Sequence, residues 1–164
     1  MSDAPAPAPI AAIEQSALAM AMRNELWLYP AVEIAHIAAF VLLVGSIAML
    51  DLRLLGLSRR LPVRQMARHV LPWTWGALLL IVPTGLLMFS AHASDLLVNR
   101  AFQMKLLLIL AAGINAALFH AGVYRTVGDL DANIATPRAA KLHAGASLAI
   151  WLGVITCGRL LAYL

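Results

Sequence analysis

Charge is what this sequence has least of. Lys and Arg number 12 and Asp and Glu 8 in 164 residues, so charged side chains make up 12% of the chain, about half the share usual in a soluble domain. Such a surface would not keep a soluble domain in water. Cysteine is nearly absent too: Cys157 stands alone, which excludes an internal disulfide and a thiolate cluster. It lies in an apolar run and reads as a small packing residue. No nucleophile motif, phosphate loop or zinc signature occurs, so the residues assign no catalytic centre. The N-terminus has no basic stretch ahead of an apolar core, as a secretory signal would. The formal net charge of +4 does not imply nucleic acid, because the basic residues gather at the ends of apolar segments.

Apolar residues are what the chain has in abundance: 62% of it, with a mean hydropathy of +0.84. Four long runs stand out, at Leu26–Leu50, His69–Phe89, Phe102–Tyr124 and Leu142–Tyr163. Each has the length of about 20 residues that a helix needs to cross a bilayer. The expected fold is all-α, a four-helix up-down transmembrane bundle with a short N-terminal interfacial helix. Residues 1–9 read as a disordered Ala-Pro tail, 10–25 as the interfacial helix and 26–164 as the membrane domain. Short connections predict antiparallel neighbours. Pro72 falls in the first turn of the second run, and Pro83 predicts a kink there. Gly145, Ala149 and Gly153, and likewise Gly113, Ala117 and Ala121, recur at the four-residue spacing that lets membrane helices approach, either within the bundle or in a dimer, and the bundle is the favoured assignment. Arg53, Arg59, Arg60, Arg64, Arg68, Arg125, Arg138 and Lys141 flank one end of the runs, against Arg23 and Arg100 at the other. The basic end is cytoplasmic by the positive-inside rule. The expectation is a multi-pass protein of the bacterial inner membrane with both termini periplasmic.

Ionisable groups inside the runs are the candidate functional residues, because each is costly in a bilayer unless it faces protein. Glu33 and His36 share one face of the first helix. At about 1.5 Å per residue, Glu33, Lys105, Arg159 and Thr84 fall within about 7–12 Å of the bilayer centre on the periplasmic side. An ion pair of Glu33 with Arg159 or Lys105 is expected, in one polar layer. His36 and Asn115 fall nearer the centre, either as a packing device or as part of a proton-handling layer with Glu33. Glu33-x-x-His36 lacks the second copy and extra carboxylates of a metal site, so no metal is expected. His69, His120 and His143 lie toward the cytoplasm. Helix angles favour His120 with His69 as axial ligands of a single haem b, with His143 as the fallback and Arg68 or Arg125 at the propionates. His92 reads as a solvated loop residue. The methionines are scattered, without the clustering of a copper route.

Several short pieces carry a resemblance: Trp27-Leu-Tyr-Pro30 with Glu33 and His36, Asp51-Leu-Arg-Leu-Leu-Gly56, Pro72-Trp73-Thr74, Thr84-Gly85, Phe102 with Lys105, Asn115 with Phe119-His120, Ser147-Leu148 with Trp151, and Gly158-Arg159. On these the chain, from about Ser16 onward, resembles an uncharacterised family of small four-helix bacterial integral membrane proteins, a domain of unknown function. The resemblance implies a four-helix inner-membrane protein and transfers no activity. A looser likeness runs to b-type cytochromes and copper-resistance D membrane proteins, without their histidines paired at two depths. The functional expectation is a small component of a redox or proton-coupled system with a single b-type haem or quinone contact. The alternatives are a non-catalytic accessory subunit and a transporter of a small ion or metal. Expected partners are the lipid bilayer and other membrane or respiratory subunits, with no nucleic acid.

Overall fold

The computed structural model describes residues 7–57, 60–124, 136–161 and 163. Its described elements are helical. Two short helices, α1 (Ala8–Glu14) and α2 (Ala17–Asn24), precede the long helices α3 (Leu28–Leu55) and α4 (Val63–Ala91). A short α5 (Ala93–Val98) leads into α6 (Arg100–Leu118), which ends in a π-helical turn at Phe119–Val123, and α7 (Arg138–Leu160) closes the chain. Four segments, α3, α4, α6 with its π turn, and α7, are long and apolar enough to cross a membrane. The exposed bulk is apolar all round, from Ile34 and Val41 on α3 to Leu79 on α4, Leu107 on α6 and Leu152 on α7. That is the surface of a multi-pass membrane protein, whose lipid face is as apolar as its core.

The helices run longer than the apolar runs predict. α3 continues through Asp51 and Arg53 and stops at Gly56, which takes a left-handed φ of 116°. There Leu57 N donates to Leu52 O at 3.0 Å, the pattern in which glycine ends a helix without strain. α4 begins at Val63 behind Pro62, so Pro72 sits in the helix interior rather than in its first turn. Arg53, read from sequence as a loop residue, is 1% exposed, and its Nε donates to Leu61 O at 2.6 Å. Pro83 leaves the carbonyl four residues back without its helical donor. One residue on, the Thr84 hydroxyl donates to Leu80 O at 2.6 Å. Asn99 caps α6, its side-chain oxygen accepting from Ala101 N and Phe102 N.

Close backbone approaches join α3 to α4, α3 to α7 and α6 to α7. α4 and α6, although consecutive spans, are linked mainly at one end, through α5 and the stacked rings of Phe89 and Phe102. The core divides into two apolar clusters. One gathers Leu43, Ala77, Ala112, Trp151 and Val154; the other gathers Leu50, Leu54, Val63, Ala67, Phe119, Ala140 and Ala144. The buried line on α7 is Ala140, Ala144, Ser147, Trp151 and Val154, and it bypasses most of the small-residue stripe. Gly145 and Gly113 have nothing within 4 Å of an added Cβ, and Ala117, Ala121 and Ala149 are exposed. Of the small residues expected inside the bundle, only Gly153 faces a neighbouring helix closely: a Cβ there would stand 3.0 Å from Leu108 Cδ1. The bulkier Trp151 and Val154 set the α7 packing face because they fill more volume.

The single surface helix expected over 10–25 is a pair, broken at Ser16, whose side chain caps α2. The helix pair is tied to the bundle end. Glu14 Oε1 accepts from Ser94 N and Ser94 Oγ, both at 2.7 Å, and Arg23 donates to Ala91 O and Glu14 O. Most of the 1–9 tail lies outside the described residues, and α1 begins at its end, with Pro9 in the first turn where proline is tolerated. The backbone and side-chain bonds from Ser94, with help from Arg23, hold the Glu14 carboxyl below its ordinary value of 4.5. A lowered folded value means that the docking contribution is full above the unfolded value and is lost as pH falls through the folded one. Hydrogen exchange of α1 and α2 should therefore quicken as pH drops below about 4.5, after correction for the intrinsic rate. Glu14→Gln should remove that pH dependence; an unchanged profile in the variant would show that Glu14 does not govern docking.

Candidate polar layers

Six residues are expected to share intramembrane polar layers, and the bundle brings four of them into two separate groups. Near the α1–α2 end, His36 of α3 meets Thr84 of α4, with Nδ1 2.9 Å from Oγ1. The hydroxyl has one hydrogen, already donated to Leu80 O, so Thr84 accepts and His36 carries its proton on Nδ1. The imidazole is thereby held with Nε2 as its basic nitrogen. Gly85 makes room for the ring: a Cβ there would stand 3.2 Å from His36 Cε1. Lys105 of α6 enters the same level, close enough to His36 for their charges to interact, and its Nζ lies 3.9 Å from where a Gly158 Cβ would be. All four spans contribute to this layer.

Glu33 does not join it. The residue is exposed, only about 8 Å along α3 from its start, and no ion pair links it to Lys105 or Arg159 among the described residues. The expected Glu33 ion pair is thus corrected. Arg159 is also exposed; it donates to Tyr163 Oη at 2.6 Å and lies over that ring, 5.0 Å from its centroid. Both side chains sit near a helix end, where a long polar group reaches the interface more cheaply than it crosses to a partner.

Asn115 does not accompany His36 either. It binds His143 of α7 near the other end of the bundle: Asn115 Nδ2 donates to His143 O at 3.1 Å, and Asn115 Oδ1 faces His143 Nδ1 at 2.8 Å. The amide orientation is fixed by the backbone carbonyl, so His143 also carries its proton on Nδ1. Asp51 of α3 and Ser147 of α7 belong to the same end and are both buried, Asp51 at 6% exposure. Asp51 is about 22 Å along α3 from His36. The apolar cluster of Leu43, Ala77, Ala112, Trp151 and Val154 occupies the space between the layers.

The histidines expected to hold haem are dispersed. His69 on α4 and His120 on the π turn are both exposed. Phe119 packs its ring against His120, His143 and Tyr124, with centroids 5.5, 5.9 and 5.9 Å away. These residues therefore do not fit a bis-histidine haem in this arrangement. Arg125 lies outside the described residues, and Arg68 is exposed. His92 is exposed, with its ring edge-on to Tyr29. Among the described residues no three His, Cys, Asp or Glu side chains cluster as a metal site.

Asp51, Ser147 and Phe119 escape a reading based on apolar runs. Asp51 follows the run Leu26–Leu50 and looks like the first loop residue, although its place two residues before Arg53 in an unbroken helical pattern was a usable signal. The π turn has no sequence mark that would single it out, yet it brings Phe119 against His143.

A family model matches residues 26–164, all four spans and nearly the whole chain. The chain belongs to the family of unknown function DUF6644. No curated protein and no solved structure matches it. The DUF6644 match begins just before α3, so both polar layers lie within the family region and α1 and α2 lie outside it.

Proposed function

We propose that this protein is a small membrane component of a proton-coupled system, in which His36 and His143 take up and release protons in two polar layers. The observation that carries the reading is the fixed imidazole in each layer: a neighbouring span holds Nδ1–H and leaves Nε2 as a base. Histidine is the side chain whose ordinary titration falls between about pH 5 and 8. Lys105 places a second proton-bearing group beside His36. The basic flanks Arg60, Arg64, Arg68, Arg138 and Lys141 favour a cytoplasmic position for the Asp51–His143 end and a periplasmic one for the termini, in a bacterial inner membrane. The apolar cluster between the layers implies that transfer across the whole bundle needs a motion of the helices, so this is not an open channel. Quinone contact at the His36 layer belongs to the same reading, since Nε2 accepts a bond from a quinol hydroxyl and Lys105 donates to a carbonyl.

Purified protein in vesicles, with an internal pH dye and an imposed acid step, tests the reading. Proton entry should exceed that of empty vesicles and fall to their rate in His36→Leu and in His143→Leu. Wild-type protein no faster than empty vesicles would favour the accessory-subunit reading, in which the polar pairs only specify packing. A second reading keeps one b-type haem, with His143 as its ligand. Asn115 supports it by orienting Nδ1 and leaving Nε2 for a metal, as partners of ligand histidines do. A Soret band lost in His143→Ala would establish that reading.

A further inference from the structure

Asp51 is an acid in the wrong place for a solvated loop. It lies on α3, four residues before the helix ends, and is as buried as the apolar residues around it. One of its oxygens, Oδ2, is buried without a hydrogen-bond partner. The polar neighbour it has is the Ser147 hydroxyl across the α3–α7 contact. Apolar side chains surround this end: Leu50, Leu54, Val63, Ala67, Ala140 and Ala144. Arg53 is two residues further along the helix, about 200° around it, where its Nε binds Leu61 O. The other titratable or charged groups at this end of the surrounding elements are Arg64, Arg68 and His69 on α4, His120 and Tyr124 at the π turn, and Arg138, Lys141 and His143 on α7.

We infer that Asp51 and Ser147 form a cation site of their own at this end of the bundle, and that the cation is a proton. An isolated carboxylate is too costly to keep in an apolar interior, and it is neutralised by a cation or by protonation. A metal cation would need about six oxygen ligands, whereas the oxygens brought together here are those of Asp51 and Ser147. A proton needs one. Bound on Oδ2, it removes the charge from the orphan oxygen, in a carboxyl that has the Ser147 hydroxyl beside it. His143 lies one turn before Ser147 on the same helix, so its basic Nε2 and the Asp51 carboxyl belong to one layer. The proton-handling reading bears on this inference only in what the site is for; the site itself stands on burial and on the orphan oxygen.

Infrared spectroscopy of the intact protein in lipid, over a pH series, reads the site directly. The expected spectrum holds a protonated-carboxyl carbonyl band that titrates away as pH rises and is absent in Asp51→Asn. The band should shift in frequency in Ser147→Ala, which removes the hydroxyl and keeps the acid. Its exchange in deuterated water should lag that of exposed carboxyls such as Glu33. Should Asp51→Asn not fold, carbon-13 labelling of aspartate assigns the band, and Ser147→Ala still tests the contact. A band unmoved by Ser147→Ala, or no protonated aspartate band at any pH where the bundle is folded, would overturn the inference. Loss of vesicle proton entry without change in this band would count against the transport reading alone.

Discussion

Trp151→Ala should be the most damaging single truncation in the bundle, costing about 3–5 kcal/mol of stability. The indole is 9% exposed at the centre of the cluster that separates the two polar layers, with the Phe40 ring edge-on to it at 6.0 Å. It packs where α7 meets α3, and Val154 and Leu43 lie in the same cluster. In a membrane the loss is mainly one of packing, because lipid is as apolar as the core. The neighbours cannot close the gap without moving a whole helix. Unfolding in graded denaturing detergent measures the effect, and Leu152→Ala is the control, since Leu152 is exposed on the same helix. Equal losses in the two variants would mean that α7 does not pack on its Trp151 face.

Asn115→Leu should come next. The substitution keeps the approximate size and removes two hydrogen bonds at once, leaving His143 Nδ1–H and the His143 carbonyl without their α6 partner. The carbonyl keeps its place in the α7 backbone ladder, so the loss falls on the half-buried imidazole N–H, at the lower end of about 1–3 kcal/mol. Asn115→Asp should be milder for the imidazole, because it still accepts from Nδ1. Thermal unfolding of the two variants in detergent provides the comparison. Asn115→Leu as stable as wild type would show that this pair does not hold α6 to α7.

Much of the architecture was legible because a bilayer leaves the backbone few choices. Four apolar runs of spanning length meant four helices, and Pro62, Gly56 and Asn99 end or start them where local chemistry requires. The same logic overreached at the run ends. Asp51, Arg53 and Arg68 look like loop residues by polarity, but protein neighbours or the interface accommodate them within helices. The site was legible in kind more than in pairing. Thr84 and Lys105 read at one depth and His36 nearer the centre, yet His36 bonds Thr84 at the level that Lys105 enters. Glu33 does not join that layer, because depth alone cannot say whether a side chain points inward or escapes to the interface. Asn115 sits near the depth of His36 by counting residues, yet it faces α7, and its partner His143 was marked as a haem ligand. Small residues misled for a related reason: their spacing shows where helices can approach, while the bulky Trp151 and Val154 decide where they do.

The central claim is that two histidines are locked by their neighbours with the proton on Nδ1 and Nε2 left basic. Nitrogen-15 spectroscopy of imidazole-labelled protein in lipid measures this directly, with His36→Gln and His143→Gln assigning the signals. In the neutral form both residues should show a protonated Nδ1 and an unprotonated Nε2, and the His143 signal should lose that preference in Asn115→Leu. Neutral imidazoles protonated on Nε2 at both positions would contradict the account.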